Sequence, residues 1–393
     1  MPAPSQTVVI LSGAYDDHYR KTRHDNPVIC TSAGKRIILY QAIEEAVGKP
    51  VVLLSPHPRG RGRAEASPET TSQFGSQTQI FSKGAGLRKI RFFVDFFHYA
   101  RHVARHTRTG DALVIDNYEL IYIIAVYYCR FLGRKNRIIL EYEDGKHLID
   151  KGIWRCISGL AEWLGRPLVE GAILATPTLG GRLPDDIPKV CVPGILKTGI
   201  ELNPPPPLGQ PICFLYSGSL DYERGIPLLL DYLETGEFPA GSQFHITGQG
   251  HFVDRFHSLQ IRHPGIIHFH GSVSQKELTK IRKISHYGLN LQNATNPISN
   301  VTYPSKTFDY LNAGIRIIST RAGGVEDVLE NSAIYLQTDT VEGLSQAIRE
   351  ASREIFKTCG GISQSTMVRY SYEGTAIRLG KLFDPIPIQN STL

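Results

Sequence analysis

Residues 287–320 read YGLNLQNATNPISNVTYPSKTFDYLNAGIRIIST. The apolar run 287–292 and the β-branched run 315–320 have the length and composition of buried strands, and Pro304-Ser305 between them is a helix-start signal. Proline disfavours helix at Tyr303, Ser305 can cap a helix that begins at Lys306, and Gly314 ends that helix about two turns later. Strand, short helix, strand is the repeating unit of a parallel sheet. The helix start lies beyond the carboxyl end of the first strand, where free backbone N–H groups make an anion site and Lys306 adds a formal charge. Asp309, one turn on, can accept hydrogen bonds from a vicinal diol such as a ribose. Taken alone, the same residues also suit an ordinary capped helix with Lys306 and Asp309 facing solvent.

Outward from this stretch the pattern repeats. Apolar strands are expected at 212–218, 243–248, 266–271 and 333–337 on its side of the chain, and at 8–11, 50–54, 112–115, 137–142, 172–176 and 189–192 in the first half. Nearly continuous apolar strands separated by helix-length segments indicate parallel sheets covered on both faces. The run Asn203-Pro204-Pro205-Pro206-Pro207 can continue neither helix nor central strand and reads as a semi-rigid linker. The expectation is an α/β protein with two Rossmann-like, doubly wound parallel-sheet domains. Their bounds are residues 1–200 and 212–375, with the linker at 201–211 and a C-terminal helix or tail, 376–393, packing back on the first domain. The ligands of such sheets sit beyond the carboxyl ends of the strands.

With 393 residues, 41% hydrophobic and 20% charged, the chain falls outside the disordered, collagen-like and coiled-coil classes. Its longest apolar run, Leu120 to Cys129, is about half of the ~20 residues that a membrane-spanning helix needs. The opening MPAPSQTVVILSG has no basic segment before its apolar stretch and reads as a first strand rather than a signal peptide. Six scattered cysteines without a CxxC pair fit reduced thiols in a cytoplasmic protein. The net charge of +6 is uneven: residues 1–195 hold 26 Lys/Arg against 19 Asp/Glu, and residues 196–393 hold 17 against 18. The excess in the first half implies an anionic partner there: nucleic acid, a membrane surface or a phosphorylated substrate.

Two further loops follow strands in the second half. In Tyr216-Ser217-Gly218-Ser219-Leu220-Asp221-Tyr222-Glu223-Arg224, Gly218 lets a ligand approach the backbone and Arg224 can pair with a diphosphate. Gly248-Gln249-Gly250 is weak by itself, because the third glycine of a dinucleotide fingerprint is missing, and it equally suits a tight turn. Gly271-Ser272-Val273-Ser274 can present backbone groups to a base edge. The order YSGSLDYERGIPLLL, FHITGQG, IIHFHGSVSQKEL, YPSKTFDYLNAGIRIISTRAGGVEDVL resembles the nucleotide-sugar domain of glycosyltransferase family 4, over residues ~212–380. That resemblance implies the GT-B fold. It also implies a nucleoside-diphosphate-sugar donor, with Ser305, Lys306, Thr307 and Arg224 at the diphosphate, Asp309 at the ribose, and Gly248, Gly250 and Val273 near the base. Two departures stand out: the first glutamate of the family's E-x7-E motif falls on Val301, and the basic residue common after the first loop glycine falls on Ser219. Arg224 and Lys306 are left as the principal phosphate cations.

In the resembling family the first domain binds the acceptor, and Gly13 matches the loop that faces the diphosphate, followed by Tyr15 and Asp16. The strand 137–142 runs into Glu141-Tyr142-Glu143-Asp144-Gly145, and carboxylates packed this closely must be solvated or used. Glu143 or Asp144 can hold a sugar hydroxyl or serve as base toward an acceptor hydroxyl; a solvated acidic turn accounts for them equally. Asp116, Asn117 and Glu119 follow the preceding strand and can line the same place. Lys83 to Arg108 holds seven Lys/Arg, among them Arg88, Lys89 and Arg91, against one acid, Asp95. Phe92, Phe93, Phe96, Phe97 and Ala100 in that segment share one helical stripe, which suits either a core-facing helix or a surface that meets anionic lipid. No nucleic-acid recognition motif accompanies them.

These readings together give a glycosyltransferase that moves a sugar from a nucleoside-diphosphate donor to a hydroxyl acceptor. The acceptor expected is a glycan or a lipid-linked group, and the protein is expected to be cytoplasmic or peripheral to a membrane. Arg224 and Lys306 would assist departure of the diphosphate, and no cofactor or metal is expected, since no HExxH-type spacing occurs. The resemblance implies retention of anomeric configuration. A GT-B epimerase or phosphorylase, and a non-catalytic sugar-nucleotide-binding protein, are the alternatives.

Overall fold

The computed structural model describes residues 7–13, 33–57, 68–84, 91–296, 299, 301–355 and 362–383, with the backbone alone at 33, 91 and 92. It contains two compact units, one built from residues up to Val192 together with the helix Tyr372–Phe383, the other from Pro193–Ser371. Tyr15, Asp16, Arg88 and Lys89 lie outside the described residues, and Arg91 and Phe92 are placed only as backbone at the start of a helix.

In the first unit the strands are β1 (Val8–Leu11), β2 (Val52–Ser55), β3 (Thr70–Phe74), β4 (Gln77–Phe81), β5 (Ala112–Asp116), β6 (Arg137–Tyr142), β7 (Gly171–Leu174) and β8 (Lys189–Cys191). They lie in the order β3-β4-β2-β1-β5-β6-β7-β8. All neighbours are parallel except β3 and β4, which are antiparallel. The central strands are buried along their whole length, as their unbroken apolar runs require. The hairpin β3–β4 was not among the expected strands. Its signal is TTSQF-GS-QTQIF, two alternating runs around a two-residue Gly-Ser turn, with Gly75 at φ 62. The C-terminal helix packs against the helix Ala33–Val47, where the Tyr372 hydroxyl donates to Gln41 O at 3.0 Å, and Arg378 Nη1 donates to Cys191 O at 2.7 Å.

The basic helix of this unit, Arg91–His106, buries Phe96, Tyr99, Ala100, Val103 and Ala104 and leaves Phe93 and Phe97 exposed. The expected single aromatic stripe is therefore split: Phe96 belongs to the core, because spacing of three and four residues with Tyr99 and Val103 selects that face, while Phe93 and Phe97 share a different one.

In the second unit β9 (Ile212–Ser217), β10 (Ser242–Thr247), β11 (Ile267–Gly271), β12 (Tyr287–Asn290), β13 (Arg316–Ser319) and β14 (Ala333–Tyr335) form a parallel sheet in the order β11-β10-β9-β12-β13-β14. Phe214 stacks between Phe244 and Tyr287 at ring distances of 5.1 and 5.7 Å in the middle of its core. The unit begins well before the proline run. Asn203 N–H donates to Gly314 O at 2.6 Å, its side chain donates to Arg282 O and Ser285 O, and Asn312 bridges Ile195 O and the Lys197 N–H. These bonds hold 193–203 to the second sheet, so the division falls at Val192/Pro193 instead of at 201–211. Among the described residues no helix is long and apolar enough to cross a membrane.

Candidate functional site

The loops after β9, β10 and β11 brace one another through their backbones. Gly218 N–H donates to Thr247 O at 3.1 Å, Leu220 N–H to Gln249 O at 2.8 Å, and Gly248 N–H to Gly271 O at 2.9 Å. This contact accounts for Gly248: at φ 152, a Cβ there would stand 1.8 Å from Gly218 O. The Gly248-Gln249-Gly250 turn thus keeps loop against loop. Gly225 is similarly forced, with φ 74 and Leu291 O only 1.6 Å from a would-be Cβ, and it begins the helix Ile226–Thr235 directly after Arg224.

Lys306 starts the helix Lys306–Leu311, which is fixed from several sides. Phe308 packs over Gly194, Tyr310 packs over Gly288, and the Tyr310 hydroxyl accepts the Ser217 N–H at 2.9 Å. So held, the Lys306 Nζ lies 3.9 Å from the centre of the Tyr216 ring and beside Gly218. The Tyr216 hydroxyl in turn donates to Ser219 O at 2.7 Å, and the ring shields the ammonium. The Nζ is buried and has no hydrogen-bond partner among the described residues. Burial, and next the positive charge of Arg224, hold the Lys306 ammonium well below the ordinary lysine pKa. Arg224 donates from Nη1 to Gln292 Oε1 at 3.2 Å. Among the described residues no carboxylate stands within ion-pair distance of either cation. A buried ammonium with no partner is costly, and two cations that repel each other are costlier. An anion with several oxygens relieves both.

The other expected donor residues are placed as follows. Ser305 does not cap the helix: its backbone is already helical, with φ −54 and ψ −26, and its side chain makes no cap bond. Pro304 O accepts the first turn bond, from Thr307 N–H at 2.9 Å, so the turn starts a residue earlier than the capping pattern suggests. Thr307 is buried, and its hydroxyl has no hydrogen-bond partner among the described residues. Asp309 is exposed and paired with Arg282 at 3.3 Å, so a ribose diol would share the carboxylate with that guanidinium. Ser219 is exposed and donates to Asp221, which also accepts from His251. Val273 is half-buried in the loop that ends in the Ser274–Glu277 capping box. Val301 is in the core, so its position offers no polar group. Tyr216 and Gln292, which set the cations, were not singled out from the sequence; both lie at or near the carboxyl end of an expected strand, and that place was their signal.

In the first unit the corresponding end of the sheet is acidic and internally paired. Gly13 follows β1, with the Tyr122 hydroxyl close by. Glu141 is fully buried, accepts from the Tyr40 hydroxyl at 3.0 Å and lies 3.6 Å from Arg36 Nε, whose Nη2 bonds Asp116 at 2.7 Å. Burial pushes the Glu141 carboxyl far up, and Arg36 opposes it. Glu143 is bonded by Lys35 Nζ at 2.6 and 2.8 Å, and Glu119 by Lys146. Asn117, at φ 53, takes the N–H groups of Glu143 and Asp144 on its Oδ1 at 2.9 and 3.0 Å. Asp144, half-buried, is pushed up to about 6 by burial and by the charges of Glu143 and Asp116. Glu143 and Asp144 are thus neither a solvated turn nor equivalent: Glu143 is spent on Lys35, and Asp144 has a pKa suited to proton transfer near neutrality.

No protein-family model matches the chain, and no curated protein matches it in sequence. Solved structures do match over nearly its whole length. The lipopolysaccharide outer core galactosyltransferase WaaB, in its apo form, superposes with a TM-score of 0.60 at 15% identity, over 96% of this chain and 99% of its own. HepE of Anabaena, in complex with UDP and glucose, gives 0.68 at 10% identity, over 97% and 100%. Sucrose-phosphate synthase of Thermosynechococcus elongatus gives 0.63 at 12%, over 96% and 98%. Two Rossmann-like parallel-sheet units, matched end to end by these glycosyltransferases, make the fold of this chain GT-B.

Proposed function

We propose that this protein is a glycosyltransferase that takes a sugar from a nucleoside-diphosphate donor and passes it to a hydroxyl acceptor. The observation that carries the reading is the buried, unpartnered Lys306 Nζ beside Arg224, with no carboxylate near either among the described residues. As the bond from the sugar to the diphosphate breaks, negative charge grows on the leaving oxygens, and cations already desolvated and held in place stabilise it without reorganising. Two such cations supply the charge that a divalent metal would otherwise bring, so the reaction is proposed to be metal-independent. Retention of configuration is proposed on the strength of the resemblance to glycosyltransferase family 4. Among the neighbours, HepE was solved with UDP and glucose, which supports a UDP-sugar as the first donor to try.

On the acceptor side, Asp144 is proposed to hold or deprotonate the hydroxyl, and Glu143 to keep Lys35 in place. A lipid-linked or otherwise anionic acceptor, met at a cytoplasmic membrane surface, suits the first unit. Phe93, Phe97, Phe131, Trp154 and Trp163 are exposed there, with Arg101 over the Phe97 ring at 5.6 Å. Binding of UDP by calorimetry, followed by transfer from labelled UDP-sugars with and without a lipid acceptor, tests the proposal. Transfer that needs an acceptor supports it; sugar-nucleotide conversion without one would make it an epimerase. Donor bound but never turned over would favour the non-catalytic reading, which the apolar Val301 permits.

A further inference from the structure

The helix Arg91–His106 carries His98, His102 and His106 at intervals of four residues, a spacing that puts them on one face. Two of them meet Glu69, the residue that precedes β3. His102 Nδ1 lies 2.9 Å from Glu69 Oε2, and His106 Nε2 lies 3.2 Å from Glu69 Oε1. The three ligand atoms all fall within 4.8 Å of one another. His102 is buried, and its other ring nitrogen, Nε2, lies 3.2 Å from Ile80 O on β4, an acceptor that requires the proton on Nε2. The lone pair of a neutral His102 Nδ1 then points at a carboxylate oxygen, so acceptor faces acceptor, and either a further proton or a metal ion lies between them.

We propose that Glu69, His102 and His106 are the ligands of a zinc ion. Two imidazoles and one carboxylate are a common three-residue set for zinc, and the second nitrogen of a ligating histidine is characteristically held by a carbonyl, as Ile80 O holds that of His102. Tetrahedral ligation at ~2.1 Å separates ligand atoms by roughly 3.4 Å, so the two contacts to Glu69 open by a few tenths of an ångström. The remaining edge closes by rotation of His106, which is 31% exposed. Glu69 and His102 also line a cavity together with Lys83, His98, Arg101 and Arg105, which gives room beside them for a water or an anion as a fourth ligand. The ion would pin the hairpin β3–β4, the edge of the sheet, to the basic helix. It is distinct from the donor residues, and none of its ligands belongs to the proposed reaction.

The test is zinc chloride titrated calorimetrically into the full-length protein after chelator treatment and desalting, in parallel with His106→Ala and Glu69→Gln. Both substitutions are at partly exposed positions, and circular dichroism checks that the variants fold. The proposal predicts one zinc per chain that is lost in His106→Ala and bound at least about tenfold more weakly by Glu69→Gln. Zinc should raise the melting temperature of the wild type but not of His106→Ala. Zinc captured by the stacked His245, His268 and His270 of the second unit would persist in His106→Ala and be subtracted. Equal uptake by wild type and His106→Ala, or none by either, would overturn the proposal and leave protons as the cations between these groups.

Discussion

The carboxyl ends of the two sheets carry opposite charge, and neither matches the half of the chain it belongs to. The first half, with its surplus of basic residues, gathers Asp116, Glu141, Glu143 and Asp144 there and pairs three of them with Lys35 and Arg36. The second half, nearly neutral overall, gathers Lys306 and Arg224 and gives them no acid among the described residues. A closed set of charges holds a fold together; an open set is completed by a ligand. The difference shows why net charge located a surplus and yet could not locate the anion site.

The contrast can be broken most violently on the paired side. Arg36→Ala leaves Asp116 and Glu141 buried without their cation and should cost about 3–5 kcal/mol, read as a drop in the denaturant midpoint. On the open side, Lys306→Ala should leave the melting temperature unchanged or higher, since an unpartnered buried charge is removed. The same variant should lower turnover by about 10²–10³-fold, the loss typical of one preorganised group at a developing anion. Normal turnover in Lys306→Ala would erase the distinction between the two ends.

A smaller effect comes from Asp144. Its carboxyl is raised from 3.8 to about 6, so the folded protein holds that proton more tightly than the unfolded chain. The corresponding stability is complete below about 3.8 and is lost as the pH climbs through about 6. Asp144→Asn should flatten that part of the stability profile, and if Asp144 is the base, it should also abolish a rise of kcat/KM through the same range. The smallest effect belongs to Lys306. Its depressed pKa rises when a diphosphate arrives, so the wild-type affinity for UDP should fall at alkaline pH more steeply than that of Lys306→Ala, read by titration across a pH series.

Strands such as VVIL and ALVI were legible because a strand buried on both faces needs an unbroken apolar run. Lys306 was legible from Pro304-Ser305 before it and a glycine after the helix. What escaped depends on partners far along the chain. Lys35 and Arg36 meet their acids across 80 to 108 residues, a pairing that no local pattern announces. Tyr216 over Lys306 and Gln292 on Arg224 are likewise products of strand order. The polar hairpin β3–β4 lacks the apolar run by which its neighbours were found, since as a sheet edge it has less to bury. The boundary was misplaced because prolines mark stiffness, whereas the bonds of Asn203 and Asn312 decide to which sheet a segment belongs. The spacing of His98, His102 and His106 was in plain view, but Glu69, which gives it chemical meaning, arrives only with the fold.

The central claim is that Lys306 and Arg224 form an open cation pair that a diphosphate completes. Calorimetric titration of UDP into wild type and Lys306→Ala tests it directly. The account predicts binding in the wild type and an affinity at least about tenfold lower in the variant. Equal affinity in the two proteins, or no binding of UDP by the wild type, would contradict it.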